Sequence, residues 1–103
     1  MGQATMHEII YMRADYEPWW MFDDWEDKVV TRRKFSAADS ARGYLAELKA
    51  DFSLRFSGHE ERDAAFTSYW NEEEMEYCEK CEEDLQIFHG LIWLVNGKPQ
   101  ISF

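Results

Sequence analysis

From Asp15 to Asp27 the chain reads Asp-Tyr-Glu-Pro-Trp-Trp-Met-Phe-Asp-Asp-Trp-Glu-Asp, so three tryptophans and six carboxylates share thirteen residues with no base among them. No single layer of a small protein suits that mixture. The indoles bury well but need a partner for the ring N–H, and carboxylates cannot be buried unpaired. The segment must therefore lie where core meets surface. Pro18 fixes its own φ and restrains Glu17, which predicts a turn there before Trp19 to Phe22 extend, and Asp23-Asp24 reads as a further turn. In an extended stretch adjacent side chains point to opposite faces, so Trp19 and Trp20 cannot both enter one core. Exposed tryptophan beside carboxylates has the composition of a protein-binding hot spot with selectivity for Arg or Lys. Core packing is the plainer alternative for each ring. Glu17, Trp19, Trp20, Asp23, Asp24 and Trp25 are the candidate partner-binding residues.

Composition bounds what surrounds this segment. A chain of 103 residues suits one domain, and an aromatic content of 17% separates it from disordered acidic chains, which are poor in aromatics. A net charge of −10 opposes direct binding to nucleic-acid phosphates and to anionic membranes. No apolar run approaches the roughly 20 residues of a membrane span. Residues 1–5 lack the charged and apolar regions of a signal peptide, so a cytoplasmic location is expected. The charge is unevenly spread: residues 28–62 hold eight bases against five acids, whereas residues 72–84 hold eight acids and Lys80. Either the basic middle lies between the two acidic segments in the folded chain, or the acids face a partner with a basic surface.

Hydrophobic patterning predicts an α+β domain. His7 to Met12 is short, apolar and β-branched, as a first strand would be, and Lys28 to Phe35 suits a strand with one wet face. Ser36-Ala-Ala-Asp39 resembles an N-cap, and Ala41, Tyr44, Leu45, Leu48, Phe52 and Phe56 then recur at helical spacing. Gly58 reads as the stop, and Glu60 to Tyr69 as a shorter second helix with Ala65, Phe66 and Tyr69 inward. The glutamates of Glu72 to Glu76 favour helix, but Met75 and Tyr77 alternate with Glu74 and Glu76 as a strand does. Leu85 to Val95 is the most apolar run and ends in the hairpin signal Asn96-Gly97, after which Pro99 to Phe103 should return as an edge strand. The expected architecture is an antiparallel sheet from N- and C-terminal strands with two central helices packed on one face.

The block from Met12 through Glu17-Pro-Trp-Trp20 to Asp27, then Phe66 to Asn71, then Tyr77-Cys-Glu-Lys-Cys81 on to Gly90, resembles the DUF1033 family of small Firmicutes proteins. The resemblance implies one domain over residues 6–103, with residues 1–5 as an extension, and it brings no established activity.

Chemistry-bearing groups are few. Cys78 and Cys81 have the spacing of a zinc knuckle, in which a tight turn aims two thiolates at one metal. A structural zinc site needs four ligands, and His7, His59 and His89 are scattered, so a symmetric dimer would have to contribute a second cysteine pair. Glu79, Glu82 and Glu83 disfavour a thiolate, with Lys80 alone opposing, which weighs against a redox dithiol. Two thiols packed in a hairpin turn is the plainest reading, with no cofactor. His89 in its apolar run reads as a hydrogen-bonded core histidine, lacking a recognisable nucleophile arrangement around it. Asp23, Asp24, Glu26 and Asp27 lack the ligand spacing of a calcium loop. The expected function is a small acidic interaction or regulatory module without catalytic residues, acting on an unknown protein partner. The alternatives are a dimeric zinc module and a mimic of nucleic-acid charge that occupies a basic protein.

Overall fold

The computed structural model describes residues 5–99. Among them, eight strands accompany a single α-helix. The strand β1 (His7–Ala14) pairs antiparallel along one edge with β2 (Val29–Phe35) and along the other with β7 (Phe88–Val95). The helix α1 (Ala38–Arg55) follows β2, and β3 (Gly58–Arg62) and β4 (Phe66–Trp70) form a hairpin whose second strand pairs with β7. The sheet order is therefore β2-β1-β7-β4-β3. Beyond β4, a short β8 (Lys98–Pro99) returns onto β7, with Val95 opposite Lys98. The Asn96-Gly97 hairpin is as expected, both residues having positive φ, 52° and 83°. The rest of the expected edge strand, and all of the N-terminal extension but Thr5, lie outside the described residues.

Strand alternation sorts the core into two layers. Ile9, Leu91, Trp93 and Tyr69 meet Ala41, Leu45 and Phe52 of α1 on one face. Ile10, Met12, Ala14, Ile92 and Phe66 meet Tyr16, Trp19, Met21, Trp25 and Val29 on the other. Neighbouring Ile9 and Ile10 are both buried because both faces are covered, one by the helix and one by the tryptophan segment. The edge strands β2 and β3 carry Thr31-Arg-Arg-Lys34 and His59-Glu-Glu-Arg62, all exposed, and such charges blunt edge-to-edge association.

Four expectations are corrected. Glu60 to Tyr69 is not a second helix but the β3–β4 hairpin, turning through Asp63 at a φ of 53°. A helix would have needed a polar outer face, yet Thr67 and Ser68 are as buried as Phe66 and Tyr69, since β4 lies inside the sheet. One helix, not two, covers its face. Ser36 is not the cap: α1 begins at Ala38 after Ala37, with no side-chain cap bond. Gly58 does not stop the helix, which ends in an extended Phe56; it opens β3, where a side chain would collide with the indole of Trp70. Finally, Trp19 to Phe22 is not extended. Pro18–Trp20 forms one 3-10 turn, and Met21 follows with a left-handed φ of 43°.

The expected run from Leu85 to Val95 is divided. A separate hairpin of β5 (Met75–Cys78) and β6 (Glu83–Gln86) precedes β7, and buried Ile87 joins the two parts. Residues 75–78 are thus strand, as the alternation of Met75 and Tyr77 suggests.

Candidate functional site

The tryptophan segment is pinned to the sheet at Pro18, which is fully buried against Gly90 of β7. A Cβ at Gly90 would stand 2.5 Å from the proline ring, so the missing side chain makes the seat. From that anchor the 3-10 turn sends successive rings apart. Trp19 packs over the sheet with the Arg62 guanidinium 4.3 Å from its ring centroid, and its buried indole N–H has no partner among the described residues. Trp20 is 53% exposed. The expectation that Trp19 and Trp20 part company thus holds, although a turn separates them instead of a strand.

Left-handed Met21 folds the chain back so that Phe22, 50% exposed, lies parallel to Trp20, with centroids 6.0 Å apart and planes 2° apart. Tyr16 meets Phe22 edge-on at 4.7 Å, and its hydroxyl donates to Asp24 Oδ1 at 3.1 Å. Burial first, and the Asp24 carboxylate next, push the Tyr16 phenol up to about 12. Trp25 is half-buried and, like Val29, packs against the core layer of Ile10 and Met12, with Arg32 at 5.9 Å from its ring. Flanking this platform of rings in the chain are half-buried Glu17 and exposed Asp23 and Asp24, of which Asp24 is tied to the cluster through Tyr16. None of the six carboxylates of 15–27 joins an ion pair among the described residues; Arg32 pairs with Glu8, Arg62 with Glu60, and Lys49 with Glu61. The basic middle of the chain does not neutralise the first acidic segment through such pairs.

A second polar centre lies on the helix side. His89, buried between β1 and β4, has Tyr11 Oη 2.6 Å from Nδ1 and Glu74 Oε1 2.7 Å from Nε2. With the carboxylate accepting from Nε2–H, the Tyr11 hydroxyl donates to Nδ1. Burial raises the Tyr11 phenol, outweighing the opposing Arg55 and Arg13 charges, so it stays a donor and the chain of groups acts as a strut. Arg13 extends it to Glu74 and, at 2.7 Å, to Glu76 of β5. The Gln86 side-chain amide donates to the Asn71 and Glu74 carbonyls, so the base of the β5–β6 hairpin is held on both strands. His89 is thus the hydrogen-bonded core histidine expected. Tyr11, Glu74 and Arg13 are not legible in the sequence because Tyr11 and Arg13 of β1 meet Glu74, just before β5, only in the folded sheet, and no local motif marks them.

At the tip of that hairpin Cys78 and Cys81 have Cα atoms 5.2 Å apart and are paired as a disulfide, where thiols or metal ligands were expected. No group of three or more metal-ligating side chains gathers among the described residues. No described helix is long and apolar enough to cross a membrane.

The segments that build the platform, the strut and the hairpin all fall within residues 6–102, which match a family model described as a protein of unknown function, DUF1033. The chain belongs to the DUF1033 family. No curated protein and no solved structure matches it significantly. In this DUF1033 member the Glu17-Pro-Trp-Trp20 block serves the anchor and the platform, and Tyr77-Cys-Glu-Lys-Cys81 serves the hairpin tip.

Proposed function

We propose that the protein is an interaction module whose Trp20–Phe22 face, rimmed by Glu17, Asp23 and Asp24, receives an arginine- or lysine-bearing segment of a partner protein. The parallel, half-exposed rings beside carboxylates outside any described ion pair carry this reading. Large aromatic area held outside the core offers a partner burial and cation–π contact, and fixed acids select for basic side chains. Guanidinium groups fit best, since they stack on rings and bind carboxylates in a fork.

The test is a nuclear magnetic resonance titration with an arginine-rich peptide. The Trp20 indole N–H resonance should shift, and Trp20→Ala or Phe22→Ala should weaken binding at least tenfold with the fold intact, as for a hot spot. A peptide that binds equally well to both variants, with affinity set by salt alone, would replace this reading with diffuse charge mimicry of a nucleic acid. A silent Trp20 resonance at saturating peptide would remove the platform as the binding surface.

A further inference from the structure

Cys78 and Cys81 lie on the β5–β6 hairpin, apart from the aromatic platform, and the turn between them does not depend on their bond. Glu82 takes a φ of 56°, and its N–H donates to the Cys78 carbonyl at 2.8 Å, closing the turn through the backbone. A bridge across so short a loop constrains the unfolded chain less than one closing a long loop, and the backbone already shapes this turn, so stability alone does not account for the pair.

The two sulfurs are unlike. Cys81 is exposed and Cys78 half-buried. The Cys81 backbone N–H donates to Cys78 Sγ at 3.2 Å. Cys78 also lines a cavity of about 280 Å³ together with Arg13, Lys28, Asp15 and Glu76. Glu76 is held by Arg13, while Lys28 has no ion pair among the described residues. These cations arrive from β1 and from the turn before β2, far away in sequence; Arg13 is balanced by Glu74 and Glu76, which leaves the Lys28 ammonium, with Asp15 beside it in the lining, as the cation outside an ion pair. A thiolate forming on Cys78 would find the Cys81 N–H as a hydrogen-bond donor and the Lys28 ammonium across the cavity, while Cys81 stands open to attack.

We propose that Cys78–Cys81 is a thiol–disulfide exchange site that accepts electrons from a dithiol, with Cys81 the sulfur attacked and Cys78 the sulfur released. A thiolate of the dithiol attacks Cys81 Sγ. Its new S–S bond forms as the Cys78–Cys81 bond breaks, and Cys78 leaves as a thiolate that takes a proton from solvent. The second thiol of the reductant, as thiolate, then attacks its partner sulfur, forming the reductant's own disulfide and releasing Cys81. Two electrons pass from the dithiol, which ends oxidised, to the cysteine pair, which ends reduced.

The oxidised full chain is treated with dithiothreitol, or with glutathione followed by rapid alkylation, and the products are mapped by peptide mass spectrometry. Expected are complete reduction without denaturant, an unchanged far-ultraviolet circular dichroism spectrum, and a trapped species with glutathione on Cys81 and the alkyl group on Cys78. Lys28→Gln should slow the reduction about threefold through the lost charge. Reduction only in denaturant would make the bridge a structural one and overturn the proposal. So would glutathione found chiefly on Cys78, or spread equally over both sulfurs. Zinc retained by the reduced protein at one ion per two chains would overturn it in favour of a shared metal site.

Discussion

Trp20 and Trp93 show what position does to one kind of side chain. Trp93 is 2% exposed, packs under α1 and donates its indole N–H to His7 Nδ1 at 3.1 Å. Trp93→Ala leaves a cavity and an unpaired imidazole and should cost about 3–5 kcal/mol in urea denaturation. Trp20→Ala removes a ring that rests on Phe22 in solvent and should change stability by no more than about 0.5 kcal/mol. A large loss at Trp20 would mean that its ring is part of the core. Tyr16 gives a titration. Its phenol, raised to about 12, favours the fold while neutral, so that contribution is complete below pH 10, where an unfolded tyrosine begins to ionise. It is lost as pH climbs toward 12. Ultraviolet titration should find a late phenolate that Asp24→Ala moves earlier, and no movement would exclude Asp24 as a cause. Of these residues the sequence marks Trp20 and Asp24 by composition; Tyr16 becomes part of the site only because Met21 reverses the chain.

The elements differ in how plainly their patterns name them. α1 is legible because its apolar residues at three- and four-residue spacing face a single sheet surface. β4 is not, because Phe66 to Tyr69 is buried throughout, Thr67 and Ser68 included, and a segment without a wet face has no period to read. The seat of Pro18 is equally hidden. Gly90→Ala would push its methyl into the proline ring and should destabilise by about 1–3 kcal/mol, with the tryptophan segment exchanging amide hydrogens faster than α1. An unchanged exchange pattern would mean that Pro18 is not the anchor. The β5–β6 hairpin depends on its Glu74 tie. Glu74→Ala strips one partner from buried His89 and one from Arg13, for a loss of about 1–3 kcal/mol. Hydrogen exchange should then rise across residues 75–86, and a uniform rise over the whole chain would deny the hairpin any independence.

In the molecule as a whole, the first strand and the last long one lie side by side at the sheet centre, with His7 opposite Val95. Such distant pairing must be closed before it stabilises anything, so refolding in stopped flow should take milliseconds to seconds, not microseconds. A chain ended after Ile87 loses β7, which joins β1 to β4, and should show no cooperative unfolding. Residues alone dictate the α+β class, the long helix, the terminal strands, the Asn96-Gly97 turn and the unrest of three tryptophans among six acids, because each follows from local backbone preference or from the burial demands of neighbouring side chains. Folding decides the rest. Which indole stays outside depends on a glycine seventy-two residues beyond Pro18, at position 90. The charge beside Cys78 depends on Arg13 and Lys28, and the His89 strut on Tyr11 and Glu74. Those arrangements arise from contacts between segments far apart in the chain, and no local spacing encodes such contacts.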